Sequence, residues 1–134
     1  MVNKFEEGKF SSNTRIMNLT ERRVRANLNF ICSNLTRAGI IHILINSKDT
    51  GYCRSVKELS EMLGKYPSVV IHHLEKLEKY GIVEVIENYI SKGKSKRKIW
   101  GLNLKMIHLI KEVYLYILKN HFTQKELENF CKKV

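Results

Sequence analysis

The sequence predicts a mainly α-helical fold carrying one small β-hairpin, and three stretches of its 134 residues carry that prediction. Residues 55–80 read as two short helices joined by a tight turn. Residues 82–102 read as two β-rich runs around a loop of lysine, serine and glycine. Residues 103–119 read as one long helix, apolar over most of its circumference. The order helix, turn, helix, strand, basic loop, strand suggests a helix-turn-helix followed by a basic wing, with extra helices before and after it.

Each element has a local reason. Residues 1–19 are polar and irregular at first, with Gly8, Ser11, Ser12 and Asn13, and read as a flexible arm. Thr20 is a good N-cap and Leu19 can staple against Val24, so a first helix is expected to start there. Val24, Leu28, Ile31 and Leu35 would share its inner face. Arg22, Arg23 and Arg25 would then sit near a helix N-terminus, where basic charge opposes the dipole. They are either a solvated patch or a place for a phosphate. Residues 36–45 form a second helix; Ile40, Ile41, Ile43, Leu44 and Ile45 make it apolar nearly all round, hence buried. The polar run 46–51 ends it, and 52–54 read as a very short strand.

Ser55 and Glu58 make a capping box for the third helix, with Val56, Leu59, Met62 and Leu63 facing inward and Gly64 ending it. Pro67 suits the first turn of the fourth helix, Val70, Leu74 and Leu77 its inner face, and Gly81 its C-terminal cap. Residues 82–86 are β-rich, 88–95 read as the hairpin loop, and Ile99, Trp100 and Leu102 lie on the returning strand. Asn103 is expected to cap the long helix, which runs to about Lys119. Thr123 and Glu126 make a second capping box, before a last helix whose apolar face is Leu127, Phe130, Cys131 and Val134.

Charge and composition narrow the function. The formal net charge is +11, which favours an anionic partner, nucleic acid before a membrane surface. No run approaches the length of a membrane span, and no apolar leader opens the chain, so a cytoplasmic protein is expected. Cys32, Cys53 and Cys131 are odd in number and far apart, which argues against a disulfide framework or a thiolate zinc site; Cys32 and Cys131 read as small buried apolar side chains. His42, His72, His73, His108 and His121 show no metal-ligand spacing, and no nucleophile motif or phosphate loop occurs. Neither an enzyme nor a metal or cofactor site is expected.

The residues expected to work are those on the free face of the fourth helix and on the wing. If Val70, Leu74 and Leu77 point inward, then Lys65, Tyr66, Ser68, Val69, Ile71, His72 and Lys76 face outward or lie at the flank. Ser68 and His72 suit phosphate oxygens, and His72 also a base edge. Val69 and Ile71 suit a thymine methyl in the major groove, or else form a second packed face. No Arg, Asn or Gln lies on this helix, so little direct base readout is expected and affinity should come largely from phosphates. His73, beside the inner face, reads as a packed and hydrogen-bonded structural histidine. The wing's Lys92, Lys94, Ser95, Lys96 and Arg97 have no acidic neighbour within 92–98, and gain by meeting phosphate.

The run 63–83 resembles the recognition-helix signature of winged-helix regulators of the ArsR type, and more loosely of the MarR and PadR types. Val70, His72, His73 and Leu74 match it, followed by the Lys76–Leu77 step and Gly81 before the first wing strand, while Ile71 replaces the usual polar residue. The resemblance spans about 36–102. It implies double-stranded DNA as partner, a pseudo-palindromic operator and a homodimer. Leu104, Ile107, Ile110, Val113, Tyr114, Ile117 and Leu118 would then supply the dimer face. The family's thiolate metal box would fall at 56–62, where no cysteine stands, and His108 and His121 do not reproduce its C-terminal zinc spacing.

The expected organisation is therefore an arm at 1–19, a winged helix-turn-helix at 20–102, and dimerising helices at 103–134. The expected function is a DNA-binding transcriptional regulator, a repressor, that binds with a recognition helix at about 67–80 and a wing at about 88–98. The alternatives are an architectural, chromatin-like protein of low sequence specificity, or a protein–protein interaction module in a transcription or replication assembly.

Overall fold

A computed structural model describes residues 12–90 and 96–131, with side chains described over 19–86 and 98–131. Helices α1 (Ser12–Ala26), α2 (Leu28–Ser33) and α3 (Leu35–Ile45) lead into β1 (Cys53–Ser55), α4 (Val56–Leu63) and α5 (Pro67–Lys79). The hairpin strands β2 (Val83–Ile90) and β3 (Lys96–Leu102) follow, then α6 (Ile107–Asn120) and α7 (Gln124–Phe130). The sheet is antiparallel in the order β1-β3-β2, so the short strand before the helix pair closes onto the far strand of the hairpin. This is a mainly helical winged helix-turn-helix fold.

The centre of the molecule is α3. Every residue from Thr36 to Leu44 is buried, and Ile40, Ile41, Ile43 and Leu44 are fully so. Burying each such side chain contributes roughly 1.5–3 kcal/mol. Gly39 lets neighbours approach: a Cβ there would lie 2.9 Å from Leu63 of α4 and 3.0 Å from Phe130 of α7. The Ser55–Glu58 and Thr123–Glu126 capping boxes both form. Gly64 and Gly81 take φ of +65° and +78°, the left-handed region in which glycine carries no Cβ penalty.

Several expectations change. The first helix starts at Ser12 rather than Thr20, so Thr20 is not its cap, residues 12–19 are helical, and Leu19 is 53% exposed instead of stapled. That helix also ends early. Asn27 breaks it, donating from Nδ2 to Arg23 O at 2.8 Å, and Asn34 starts α3 by accepting from Arg37 N at 3.0 Å. Asparagine competes for backbone groups in this way, dividing one apolar run among three helices. Arg23 and Arg25 consequently lie in the last turn of α1, where basic charge favours the dipole instead of opposing it.

The hairpin ladder extends further than expected, pairing Asn88 with Lys98 and Ile90 with Lys96, so 88–90 belong to a strand. A bulge falls between Val85 and Glu87. Asn103 caps a 3-10 turn (Leu104–Met106) rather than the long helix, and its Nδ2 donates to Gly81 O at 3.1 Å.

The face expected to meet a second copy is also partly used. Ile110, Val113 and Ile117 are 0%, 1% and 0% exposed within the single chain. They complete its own core against the leading helices and cannot present themselves to a partner without opening it. Leu104 stands 50% exposed, Ile107, Tyr114 and Leu118 are half-buried, and Leu115, not expected in this role, is 62% exposed.

Candidate nucleic-acid interface

The turn between α4 and α5 sets the exposed helix face. Gly64 reverses the chain, Ser60 Oγ donates to Lys65 O, and Pro67 takes the first helical position of α5. Tyr66 N-caps α5 without a side-chain hydrogen bond. Pro67 has no N–H, and the N–H groups of Val69 and Val70 donate to Tyr66 O, which leaves the Ser68 N–H for water or an anion.

From that start α5 divides cleanly. Val70, Leu74 and Leu77 are fully buried. Lys65, Tyr66, Ser68, Val69, Ile71 and His72 are exposed, with Tyr66 at 80%, and Lys76 is half-buried. Val69 and Ile71 therefore form no second packed face within the chain; they project outward from the same helix half as Ser68 and His72. Lys65 is drawn aside, its Nζ 5.9 Å from the Phe130 ring centroid.

The other half of α5 is electrostatically mixed. His72, Glu75, Lys76, Glu78 and Lys79 line an open groove of about 430 Å³. Its two carboxylates, Glu75 and Glu78, offset the two lysines, Lys76 and Lys79. Of the wing residues, Lys92, Lys94 and Ser95 lie outside the described residues; Lys96 and Arg97 begin β3, and their side chains also lie outside.

Interactions missed in the sequence brace α5 from behind and at its end. Arg37 of α3 reaches His73: its Nη1 lies 3.2 Å from Nδ1 of the ring. His73 is thus packed and hydrogen-bonded, as expected. At the C-terminus of α5, Arg23 donates to Lys79 O at 3.3 Å. Arg25 pairs with Glu21 and with Glu112 of α6, both at 2.8 Å, linking the first helix to the long one. A further buried pair joins α3 to α6, where His42 Nδ1 and Tyr114 Oη lie 2.6 Å apart. Burial depresses the His42 pKa, opposed by Glu128. Apart from the Arg25–Glu21 pair, which has the i,i+4 spacing of a helix, these contacts have no sequence signature, because their members are far apart along the chain.

Burial pushes the Cys32 and Cys131 thiols up to about 12, which keeps them protonated at neutral pH. No group of three metal-ligating side chains occurs among the described residues. No described helix is long and apolar enough to cross a membrane.

The fold and this exposed helix define a winged helix-turn-helix of the DNA-binding class. The family of bacterial regulatory proteins named arsR matches residues 34–85, from the Asn34 cap of α3 to the middle of β2. That segment is an ArsR-like winged helix-turn-helix, the unit of DNA-binding transcriptional regulators, and the match stops short of the wing tip and α6. No curated protein and no solved structure matches the chain.

Proposed function

We propose that the chain is a homodimeric repressor that binds duplex DNA through α5 and the wing and acts in the cytoplasm. The observation that carries the reading is the split of α5. Inside an ArsR-like helix-turn-helix, its N-terminal half presents Tyr66, Ser68, Val69, Ile71 and His72 outward while its other face is sealed into the core. In this reading Ser68, through its hydroxyl and its N–H, and His72 take phosphate oxygens, and Val69 and Ile71 lie against thymine methyls. Lys65 and Lys76 flank the contact. Lys92, Lys94, Ser95, Lys96 and Arg97 grip the adjoining backbone.

The domain division follows the same reading. The DNA-binding unit reaches to residue 102, and the remaining C-terminal helices, with the first helix tied to them by Arg25, hold the second copy. Leu104, Ile107, Tyr114, Leu115 and Leu118 are the residues left for it. Two α5 helices would then enter successive major grooves, about 34–36 Å apart, and occlude a promoter.

A specific observation favours a second variant. With exposed Val69 and Ile71 and no Arg, Asn or Gln on α5, base discrimination is weak, which suits an architectural role of low sequence selectivity. Fluorescence-anisotropy titrations against operator-like and random duplexes separate the two: a preference for the operator supports the repressor, and equal binding supports the architectural variant. Absence of binding to either duplex at low salt rejects both and promotes the protein–protein module. Sedimentation is expected to give a dimer, and a stable monomer at micromolar concentration rejects that part.

A further inference from the structure

Arg37 is a buried charge without an opposite charge. It is 7% exposed, and among the described residues no carboxylate pairs with it. Its Nη2 donates to Phe30 O at 2.8 Å, its guanidinium carbon sits 4.2 Å over the centroid of the Phe30 ring, and its Nε has no partner. Taking an ion out of water costs several kcal/mol even after relaxation, and a Leu or Met in α3 would fill the same volume without that cost. What the guanidinium supplies, and an apolar residue does not, is a permanent donor aimed at the recognition helix.

That donor constrains His73. Arginine keeps its proton in proteins, so at the 3.2 Å contact Nδ1 of His73 must be the acceptor. The imidazole is then neutral, with its proton on Nε2. His73 lies on α5 between the buried anchors Val70 and Leu74, and its ring stands edge-on to His72 with centroids 5.2 Å apart. A displacement at His73 is therefore felt at His72, on the exposed face. We propose that Arg37 is a positioning residue for the recognition helix, acting through the unprotonated Nδ1 of His73, and that protonation of His73 releases this brace and weakens DNA binding. The part concerning DNA rests on the function proposed above; the brace itself does not.

The surroundings reinforce the neutral form. Burial depresses the His73 pKa below the ordinary 6.5, and Arg37 from α3, His72 and Lys76 from α5 and Lys65 from the preceding turn add to the effect. Behind Arg37 stand the Tyr80 hydroxyl and the Cys32 thiol. A depressed folded pKa means that the unfolded chain takes up a proton first. The contribution of His73 is thus intact above the unfolded value of about 6.5 and is lost as pH falls through the folded one. A histidine whose only role is to touch phosphate has the opposite sign, since the anion favours the imidazolium and acid tightens binding.

The test uses the full chain and two readouts. Imidazole nitrogen NMR should find His73 Nδ1 unprotonated near neutral pH, and hydrogen-exchange protection over residues 70–77 should fall on acidification. DNA anisotropy should show wild-type binding weakening progressively as pH falls below about 6.5, several-fold more by about pH 5 than His73→Gln, which keeps an acceptor but does not titrate. His42 is also buried, so acid lowers global stability in both proteins; the comparison of the two at the same pH removes that effect. A proton on Nδ1, wild-type affinity that holds or rises in acid, or His73→Gln weakening in step with wild type overturns the proposal. If neither protein binds DNA anywhere in this pH range, the DNA reading fails and NMR decides: an unprotonated Nδ1 with acid loss of helix protection upholds the brace, and any other result removes it.

Discussion

Helices α3 and α5 lie against each other, both carry several branched apolar residues, and they use them in opposite ways. All of α3 from Thr36 to Leu44 is enclosed, including Arg37 and His42. Only one stripe of α5 is enclosed, and it leaves Val69 at 36% and Ile71 at 38% exposed. An isoleucine in α3 is wholly enclosed in the core, whereas Ile71 on the outer face of α5 keeps over a third of its surface in solvent. The difference places the stability of the core in α3 and leaves the outer face of α5 free for the recognition role proposed above.

Substitutions can break that contrast, and the largest effect belongs to α3. Ile41→Ala should cost about 2–5 kcal/mol, the range for deleting a fully buried side chain, and chemical denaturation measures it. A loss below about 1 kcal/mol would show that the helix is not the centre of the core. On α5, the double change Val69→Ala with Ile71→Ala should weaken DNA binding by about 1–3 kcal/mol while stability moves by no more than about 0.5 kcal/mol for each residue. The reverse pattern, stability lost and binding kept, would return those two residues to a structural role. The smallest effect is expected between the helices that frame this pair. Arg25→Ala removes exposed ion pairs to Glu21 and Glu112, worth about 1 kcal/mol or less each in thermal unfolding.

The contrast between the two helices was itself partly legible. The all-round apolar run at 36–45 marked α3 as buried, and the 3.6-residue spacing of Val70, Leu74 and Leu77 gave the inner face of α5. The capping boxes, Pro67, Gly64 and Gly81 marked where elements start and stop, because each answers a backbone requirement that is local. Illegible were features set by residues distant in the chain. Arg37 gives no hint that its partners are Phe30 O and His73, nor His42 that its partner is Tyr114. Thr20 looked like a cap because cap chemistry is permissive, yet it sits inside a helix already under way from Ser12. The apolar face of α6 read as a partner surface, and spacing alone cannot say whether Ile110, Val113 and Ile117 serve the chain's own core or a second copy.

In the proposed reading the mixed charge of the C-terminal half of α5 leaves the grip on phosphate largely to the basic residues of the wing. The most direct measurement is the salt dependence of DNA affinity for wild type and for a variant carrying Lys94→Ala, Lys96→Ala and Arg97→Ala. Each lost phosphate contact should flatten the log–log slope by about 0.9. The account therefore predicts a steep wild-type slope that falls by about 3 for each bound subunit. An unchanged slope would contradict a wing that grips DNA, and no binding by wild type at low salt would contradict the DNA-binding reading as a whole.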